Sequence, residues 1–357
     1  MKIGMLTSGG DCQGLNAALR GVAKTLYNQL GDGVTLYGIQ DGYRGLIEGN
    51  YHEMQPREFS DILTLGGTIL GTSRESFKTM LQADDSEETK LQRMLETIKY
   101  AKLDALVILG GNGTHKTANL LSENGVNVVT LPKTIDNDLW GTEVTFGFQS
   151  AVNIATEVID SIHSTAFSHS RVFIVETMGH KAGWLTLYAG ISSGADIIII
   201  PEIPYHIKHI AEAIEKRSKS GKRFSILAVA EGAISKEEAK MSKKEFKASR
   251  EKMTHPSISY RIAEELQALT GQEIRVTIPG HYQRGGAPCP YDRLLTTRLG
   301  VAAAELIREN KFGYMVGVQN NKIVPVKLSD VAGKLKTVPP DSDIVQAARD
   351  LGLSMGD

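Results

Sequence analysis

The sequence predicts an α/β protein built from two Rossmann-like domains with mostly parallel sheets. Short apolar runs bounded by glycine alternate with longer helical patterns, the rhythm of βαβ units. The runs are continuously apolar, as in DALVILGG and ADIIIIPE, which is how strands covered on both faces read. The residues with unusual chemistry gather just after these runs, where parallel sheets hold their ligands.

In chain order the expected strands are Ile3 to Thr7, Val34 to Ile39, Ala105 to Leu109, Val128 to Leu131, Val172 to Val175, Ile197 to Ile200, Ser225 to Val229 and Ile274 to Ile278. After them come Ser8-Gly9-Gly10-Asp11, Gly110-Gly111-Asn112-Gly113, Lys133 to Asp138, Met178-Gly179-His180 and Glu231. The basic and acidic stretch Lys236 to Lys252 reads as a solvated helix or loop without a function. No internal repeat or low-complexity tract suggests a solenoid.

With 357 residues the chain suits two domains of ordinary size. Lys+Arg 40 against Asp+Glu 41 leaves a net charge of -1, so no global field recruits nucleic acid or an anionic membrane. Any anion site has to be built locally. Cys12 and Cys289, the two cysteines, form no Cys-x-x-Cys pair, which argues against a disulfide framework or zinc knuckle and for a reducing compartment. MKIGMLTSGGD lacks the apolar stretch of a signal peptide, and no segment is apolar enough to span a bilayer. A soluble, cytosolic protein is the expectation.

Four stretches carry the chemistry. Thr7-Ser8-Gly9-Gly10-Asp11 and Gly110-Gly111-Asn112-Gly113-Thr114 each follow a strand and precede a helix, where glycines let backbone N–H groups approach a phosphate. Neither has the Walker spacing or the full G-x-G-x-x-G of a dinucleotide site. Pro132 to Asp138 puts Lys133, Asp136 and Asp138 at a strand end. If that stretch is extended, the two carboxylates face one side and suit a general base and a metal-linked acid, the alternative being an Asx-rich turn. Arg275, His281 and Arg284 lie beside glycines and suit a grip on a phosphate dianion.

Together these residues resemble the phosphofructokinase family. TSGGDxxGxN (Thr7 to Asn16), GGTxLGTSR (Gly66 to Arg74), GGNGT, PKTIDND (Pro132 to Asp138), ETMGHKAGW (Glu176 to Trp184), PE (Pro201-Glu202), AEG (Ala230 to Gly232) and GHYQRGGxPxPYDR (Gly280 to Arg293) fall in family order along essentially the whole chain. The resemblance implies a phosphofructokinase-like fold and transfer of the ATP γ-phosphoryl to the 1-hydroxyl of fructose 6-phosphate, with Mg²⁺ as cofactor. It makes Asp136 the base, helped by Thr134, Lys133 and Asp138. Gly10, Arg74, Glu75, Gly111, Asn112, Gly113 and Thr114 become the donor cradle. Thr134, Asp136, Met178, Gly179, His180 and Glu231 become sugar contacts, and Arg171, Arg275, His281 and Arg284 the grip on the 6-phosphate.

Arg171 and Arg275 reach in from a neighbouring subunit in this family, which implies a homodimer or homotetramer with active sites completed across subunits. The implied organisation is residues 1–146 for the donor, 147–282 for the sugar phosphate and 283–357 returning to complete both. Asn112 replaces a carboxylate associated with magnesium, so metal affinity is expected to fall. His180 replaces an arginine, which weakens stabilisation of the transferring phosphoryl or makes it depend on pH. Gly113, where pyrophosphate-using relatives carry aspartate, leaves room for ATP, whereas Lys133 is shared with pyrophosphate users. The exclusion argument decides for ATP, with a pyrophosphate-dependent enzyme as the alternative. A lipid or NAD kinase is disfavoured by PKTIDND and the Arg275/His281/Arg284 cluster, and a non-catalytic sugar-phosphate-binding paralogue is the reading from another class. The effector pocket of well-known bacterial members keeps Arg20, Lys24 and Lys222 here but has Asn50, His163 and Ser220 at basic positions, so control by polyanionic effectors is expected to be weak.

Overall fold

In the computed structural model residues 1–83 and 87–357 are described. The strands in chain order are β1 (Lys2–Thr7), β2 (Thr35–Ile39), β3 (Tyr51–Met54), β4 (Ala105–Gly110), β5 (Val128–Thr134), β6 (Phe146–Gly147), β7 (Val172–Thr177), β8 (Ile197–Ile199), β9 (Ser225–Ala230), β10 (Ile274–Thr277), β11 (Tyr314–Gln319) and β12 (Lys322–Lys327). The chain divides into two compact units, Met1–Ser150 with Arg284–Leu335 and Ala151–Gln283 with Lys336–Asp357.

The sheet of the first unit runs β12-β11-β5-β4-β1-β2-β3, with β6 pairing β5 beside this path. β1, β2, β4, β5 and β11 are parallel to their neighbours in this core, while β3 and β12 close the edges as antiparallel partners of β2 and β11. Every residue of β4 and β5 is buried: β4 is an uninterrupted apolar run, whereas β5 also buries Thr130, Lys133 and Thr134. Fully burying each Val, Leu or Ile of such a strand contributes roughly 1.5–3 kcal/mol before conformational entropy is subtracted.

Helices Leu15–Leu30 and Pro290–Arg308 pack together in this unit. A Cβ on Gly300 would stand 2.8 Å from Gly21 Cα, so the pair of glycines allows backbone-to-backbone contact that any side chain there would prise apart. The close approach fixes the chain that follows Arg284 against the helix that follows the first glycine turn.

The second unit carries a parallel four-stranded sheet in the order β10-β7-β9-β8. Helix Ile207–Lys219 turns Ile210 and Ile214 inward, and helix Ile258–Thr270 turns Ile262 and Leu266 inward, pairs at i, i+4 that share one helix face. The last residues lie along the sheet edge, with Ile198 N donating to Ser354 O at 2.9 Å and His206 N to Gly356 O at 2.7 Å.

All eight expected strands form, with ends shifted by one to three residues. β3, β6, β11 and β12 are additions. The expected extended conformation of Asp136 to Asp138 does not form: β5 ends at Thr134 and Asn137 has φ 51°, so the stretch is a turn. Of Lys236 to Lys252, helix Lys243–Glu251 buries no residue, in keeping with a solvated segment, but Glu238 is buried, where Arg250 Nη2 and Arg261 Nη2 donate to its Oε2 at 3.0 and 2.8 Å.

Candidate active site

The first glycine turn is held to its neighbours by the backbone. Ser8 N donates to Leu109 O, tying the end of β1 to β4, and Gly9 N donates to Ser73 O, both at 2.9 Å. Thr72 Oγ1 returns a bond to Gly9 O at 2.7 Å, and Ser73 Oγ reaches Asp41 O at 2.6 Å. These bonds bring Arg74 and Glu75 beside the turn. Lys90 Nζ donates to Glu75 Oε2 at 2.5 Å.

The second turn leads directly into helix Asn112–Glu123. Tyr43 donates its hydroxyl to Thr114 O at 2.8 Å from a fully buried position. His115, also fully buried, donates Nδ1–H to Gly111 O at 2.9 Å; burial pushes its imidazole pKa down to about 4. A neutral ring thus braces the turn from behind. Asn112 Nδ2 donates to Lys334 O at 2.6 Å.

Between the turns, at the end of β5, lies the Lys133 to Asp138 stretch. Lys133 is 3% exposed and donates from Nζ to the Gly10 carbonyl, and burial lowers its pKa. The turn after it is pinned at several points. Asp136 N donates to Thr134 Oγ1 at 3.1 Å, Thr145 N to Asn137 Oδ1 at 3.0 Å, and Thr145 Oγ1 to Thr134 O at 2.7 Å. Asp292 anchors the adjoining chain from a fully buried position, accepting bonds from Gly147 N at 3.1 Å, Ser150 N at 2.8 Å and Ser150 Oγ at 2.6 Å.

The result, inside the first unit, is one cavity of about 240 Å³ lined by Ser8, Gly9, Gly10, Arg74, Glu75, Gly111 to Thr114, Lys133, Thr134, Asp136, Asp138 and Arg284. All the expected donor and catalytic residues line it. Arg284, expected with the sugar 6-phosphate grip, is here as well: its Nη1 donates to Asp11 O at 2.9 Å. A Cβ on Gly10 would stand 3.0 Å from Arg284 Nη1 and 3.3 Å from Arg74 Nη2, so both guanidinium groups converge over this glycine. A Cβ on Gly113, in contrast, would meet nothing within 4 Å.

The cavity's cations and backbone N–H groups suit a polyphosphate, and Asp136 suits a base beside it. Among the described residues no group of three or more His, Cys, Asp or Glu could hold a metal. Asp136, Asp138 and Asn112 line the same cavity, and their oxygens are the donor type Mg²⁺ takes, since it needs only one or two protein carboxylates and completes its shell from phosphate and water.

In the second unit, Met178, Gly179, His180 and Glu231 form one cluster. Glu231 Oε1 accepts from His180 N at 2.8 Å, and His180 itself has φ 50°. Gln283, fully buried, accepts from Met178 N at 3.2 Å and donates from Nε2 to Gly280 O at 3.1 Å, bracing both this loop and the one before His281. Arg171 and Arg275 share one carboxylate, Glu273, with Arg171 Nε 2.5 Å from Oε2. Arg171 stands just before β7 and Arg275 is the second residue of the adjacent β10, in register with Phe173. His281 is exposed.

Sequence reasoning missed His115, Asp292 and Gln283. Each lies inside or beside a recognised motif, but as a buried brace rather than a lining group. Their signal was a polar side chain within an apolar or glycine-rich surround, which sequence alone does not separate from a surface residue. Of the effector-pocket positions, Arg20, Lys24 and Asn50 belong to the first unit, and His163, Ser220 and Lys222 to the second. His163 Nε2 bonds to Ser193 O at 2.8 Å.

Three kinds of comparison agree with this geometry. The family model described as Phosphofructokinase matches residues 2–307. An ATP-dependent 6-phosphofructokinase of Spirochaeta thermophila is 56% identical over 357 residues, covering 99% of this chain and 97% of that protein. The enzyme of the same name from Propionibacterium freudenreichii is 46% identical, with both chains covered in full. Among solved structures, the T-state phosphofructokinase of Pichia pastoris superposes with a TM-score of 0.79 at 32% identity. That match covers 92% of this chain, which spans 35% of the much longer Pichia chain.

Proposed function

The chain belongs to the phosphofructokinase family, and from that premise we propose that it is an ATP-dependent 6-phosphofructokinase, moving the terminal phosphoryl of ATP to the 1-hydroxyl of fructose 6-phosphate to give fructose 1,6-bisphosphate. The observation that carries the reading is the single cavity in which two glycine turns, Arg74, Lys133 and Arg284 meet the carboxylate of Asp136. Phosphoryl transfer asks little covalent work of a protein. It needs in-line positioning, charge neutralisation and a base within reach of the attacking hydroxyl.

In this reading the two turns and Arg74 hold the donor phosphates. Lys133, fixed to the Gly10 carbonyl, and Arg284 stabilise the charge that spreads over the transferring group. Asp136 takes the hydroxyl proton while Thr134, whose hydroxyl accepts the Asp136 amide, sets the angle of that turn. Asp136, Asp138 and the Asn112 oxygen would hold Mg²⁺, which would supply charge neutralisation. Met178, Gly179, His180 and Glu231 contact the sugar, and Arg171, Arg275 and His281 grip its 6-phosphate.

The first unit is then the donor side and the second the sugar side. The exposed Arg275 and the pairing of Arg171 and Arg275 on Glu273 suit two cations displayed toward a neighbouring subunit in a homo-oligomer. No helix among the described residues is long and apolar enough to cross a membrane, which is compatible with a cytoplasmic enzyme of sugar breakdown. The open space at Gly113 supports ATP over pyrophosphate, as do the names of the relatives matched over their full length. Offering ATP and pyrophosphate separately with fructose 6-phosphate and Mg²⁺, and measuring fructose 1,6-bisphosphate, tests the proposal. Product with ATP is expected; absence of product with either donor overturns the kinase reading.

A further inference from the structure

We propose that Asn112 is a positioning residue of the donor site: its side-chain amide fastens the Gly333 to Leu335 segment to the second glycine turn, and the fastened segment sets how tightly the nucleotide is held. The inference rests on the functional reading above for the identity of the donor. Asn112 lines the cavity, yet its Nδ2 points at the chain far downstream, donating to Lys334 O at 2.6 Å. One turn along the same helix face, Lys116 meets the same segment, since a Cβ on Gly333 would stand 3.5 Å from Lys116 Cε. Leu335 pairs with Leu139 in an antiparallel bridge immediately after Asp138. The segment therefore spans two stretches that both line the cavity, the donor turn and the end of the Lys133 to Asp138 turn.

Only a side chain with a hydrogen-bond donor can make the Asn112 contact. A carboxylate at this position would set its oxygen against the Lys334 carbonyl, two acceptors that repel. The asparagine is thus more than a weaker metal ligand. Its oxygen remains available to a cation while its nitrogen closes the tether.

The test compares wild type with Asn112→Ala and Asn112→Asp in two ways. Hydrogen–deuterium exchange of peptides covering 328–335 is followed without substrate, and the Kd of Mg-ATP is measured by calorimetry. Faster exchange and a Kd raised about 3- to 30-fold are expected in both variants, the range set by losing one hydrogen bond. A role confined to metal ligation makes the opposite forecast: unchanged exchange in both, and Mg-ATP bound by Asn112→Asp at least as tightly as by wild type. Unchanged exchange in either variant overturns the tether whatever the affinity. Faster exchange with unchanged Kd in Asn112→Ala overturns the link to the donor. A wild type that binds Mg-ATP but makes no fructose 1,6-bisphosphate counts against the functional reading alone.

Discussion

The buried carboxylate of Asp292 accepts a hydrogen bond from the Gly147 amide at 3.1 Å, and Gly147 stands in register with Thr134 at the end of the strand that presents Asp136. A side chain from the first turn of helix Pro290–Arg308 is thereby coupled to the active-site turn. Ser150 N and Oγ donate to the other oxygen, so the carboxylate closes the start of the helix that begins at Phe148. Burial pushes its pKa up, although the Ser150 and Gly147 bonds oppose the shift.

Asp292→Asn keeps the shape but turns one acceptor into a donor facing N–H groups. Loss of a charge-assisted bond of this kind, with a buried group left unpaired, should reduce stability by roughly 1.5–3 kcal/mol. A fall in kcat larger than any change in the fructose 6-phosphate KM should accompany it, since the Thr134 to Asp136 turn loosens. Denaturant unfolding and steady-state kinetics check both. Wild-type values for the two would remove Asp292 from this role.

Asp136 as base makes a sharper forecast. Asp136→Asn keeps the turn, whose Thr134 Oγ1 bond uses the backbone amide, but cannot take the proton. Turnover should fall roughly 10²- to 10⁴-fold or more while fructose 6-phosphate still binds. Turnover near wild type sinks the assignment.

His115 links the donor turn to pH. Its pKa is lowered from an ordinary 6.5 to about 4, with burial the leading cause and the Gly111 bond opposing it. Below 6.5 the unfolded chain binds a proton that the folded chain refuses, so this contribution to stability is complete above pH 6.5 and is lost as pH falls toward 4. The shift corresponds to about 3 kcal/mol. His115→Gln, whose amide can still donate to Gly111 O, should flatten the loss of unfolding free energy between those two pH values. An unchanged slope in the variant would show that other groups govern it.

β4 and the first half of β5 were legible because burial on both faces favours a continuous apolar run. β12, reading KIVPVK, is an edge strand with a central proline and only partial burial, and β3, YHEM, has no apolar run. Edge strands place few demands on side chains, so their sequences carry little pattern. The residues that line the cavity were legible because glycine turns and carboxylates follow buried runs. The place of Arg284 was not, although it stands three residues after His281: the two compact units divide between Gln283 and Arg284, and spacing along a chain does not report such a division. Asp136 and Asp138 were legible as a pair, and of the two conformations weighed for them the Asx-rich turn is the one that forms, with Asn137 left-handed between them.

Donor choice rests on Gly113. No atom lies within 4 Å of where its Cβ would be, so the position opens into the cavity that holds the donor in the proposed function. An aspartate there would fit sterically when the cavity is empty, and its effect would appear only when a donor longer than pyrophosphate occupies that space. Volume and like charge then act together against the α-phosphate, while the two phosphates of the shorter donor are held by the turns and Lys133 as before. Gly113→Asp should therefore lower kcat/KM for ATP by at least about 100-fold, a loss of roughly 3 kcal/mol of transition-state stabilisation, and change thermal stability little. The wild type should favour ATP in the same assay. Efficient use of pyrophosphate by the wild type with little use of ATP would overturn the donor assignment, and full ATP activity in Gly113→Asp would show that the nucleotide leaves the cavity by another route.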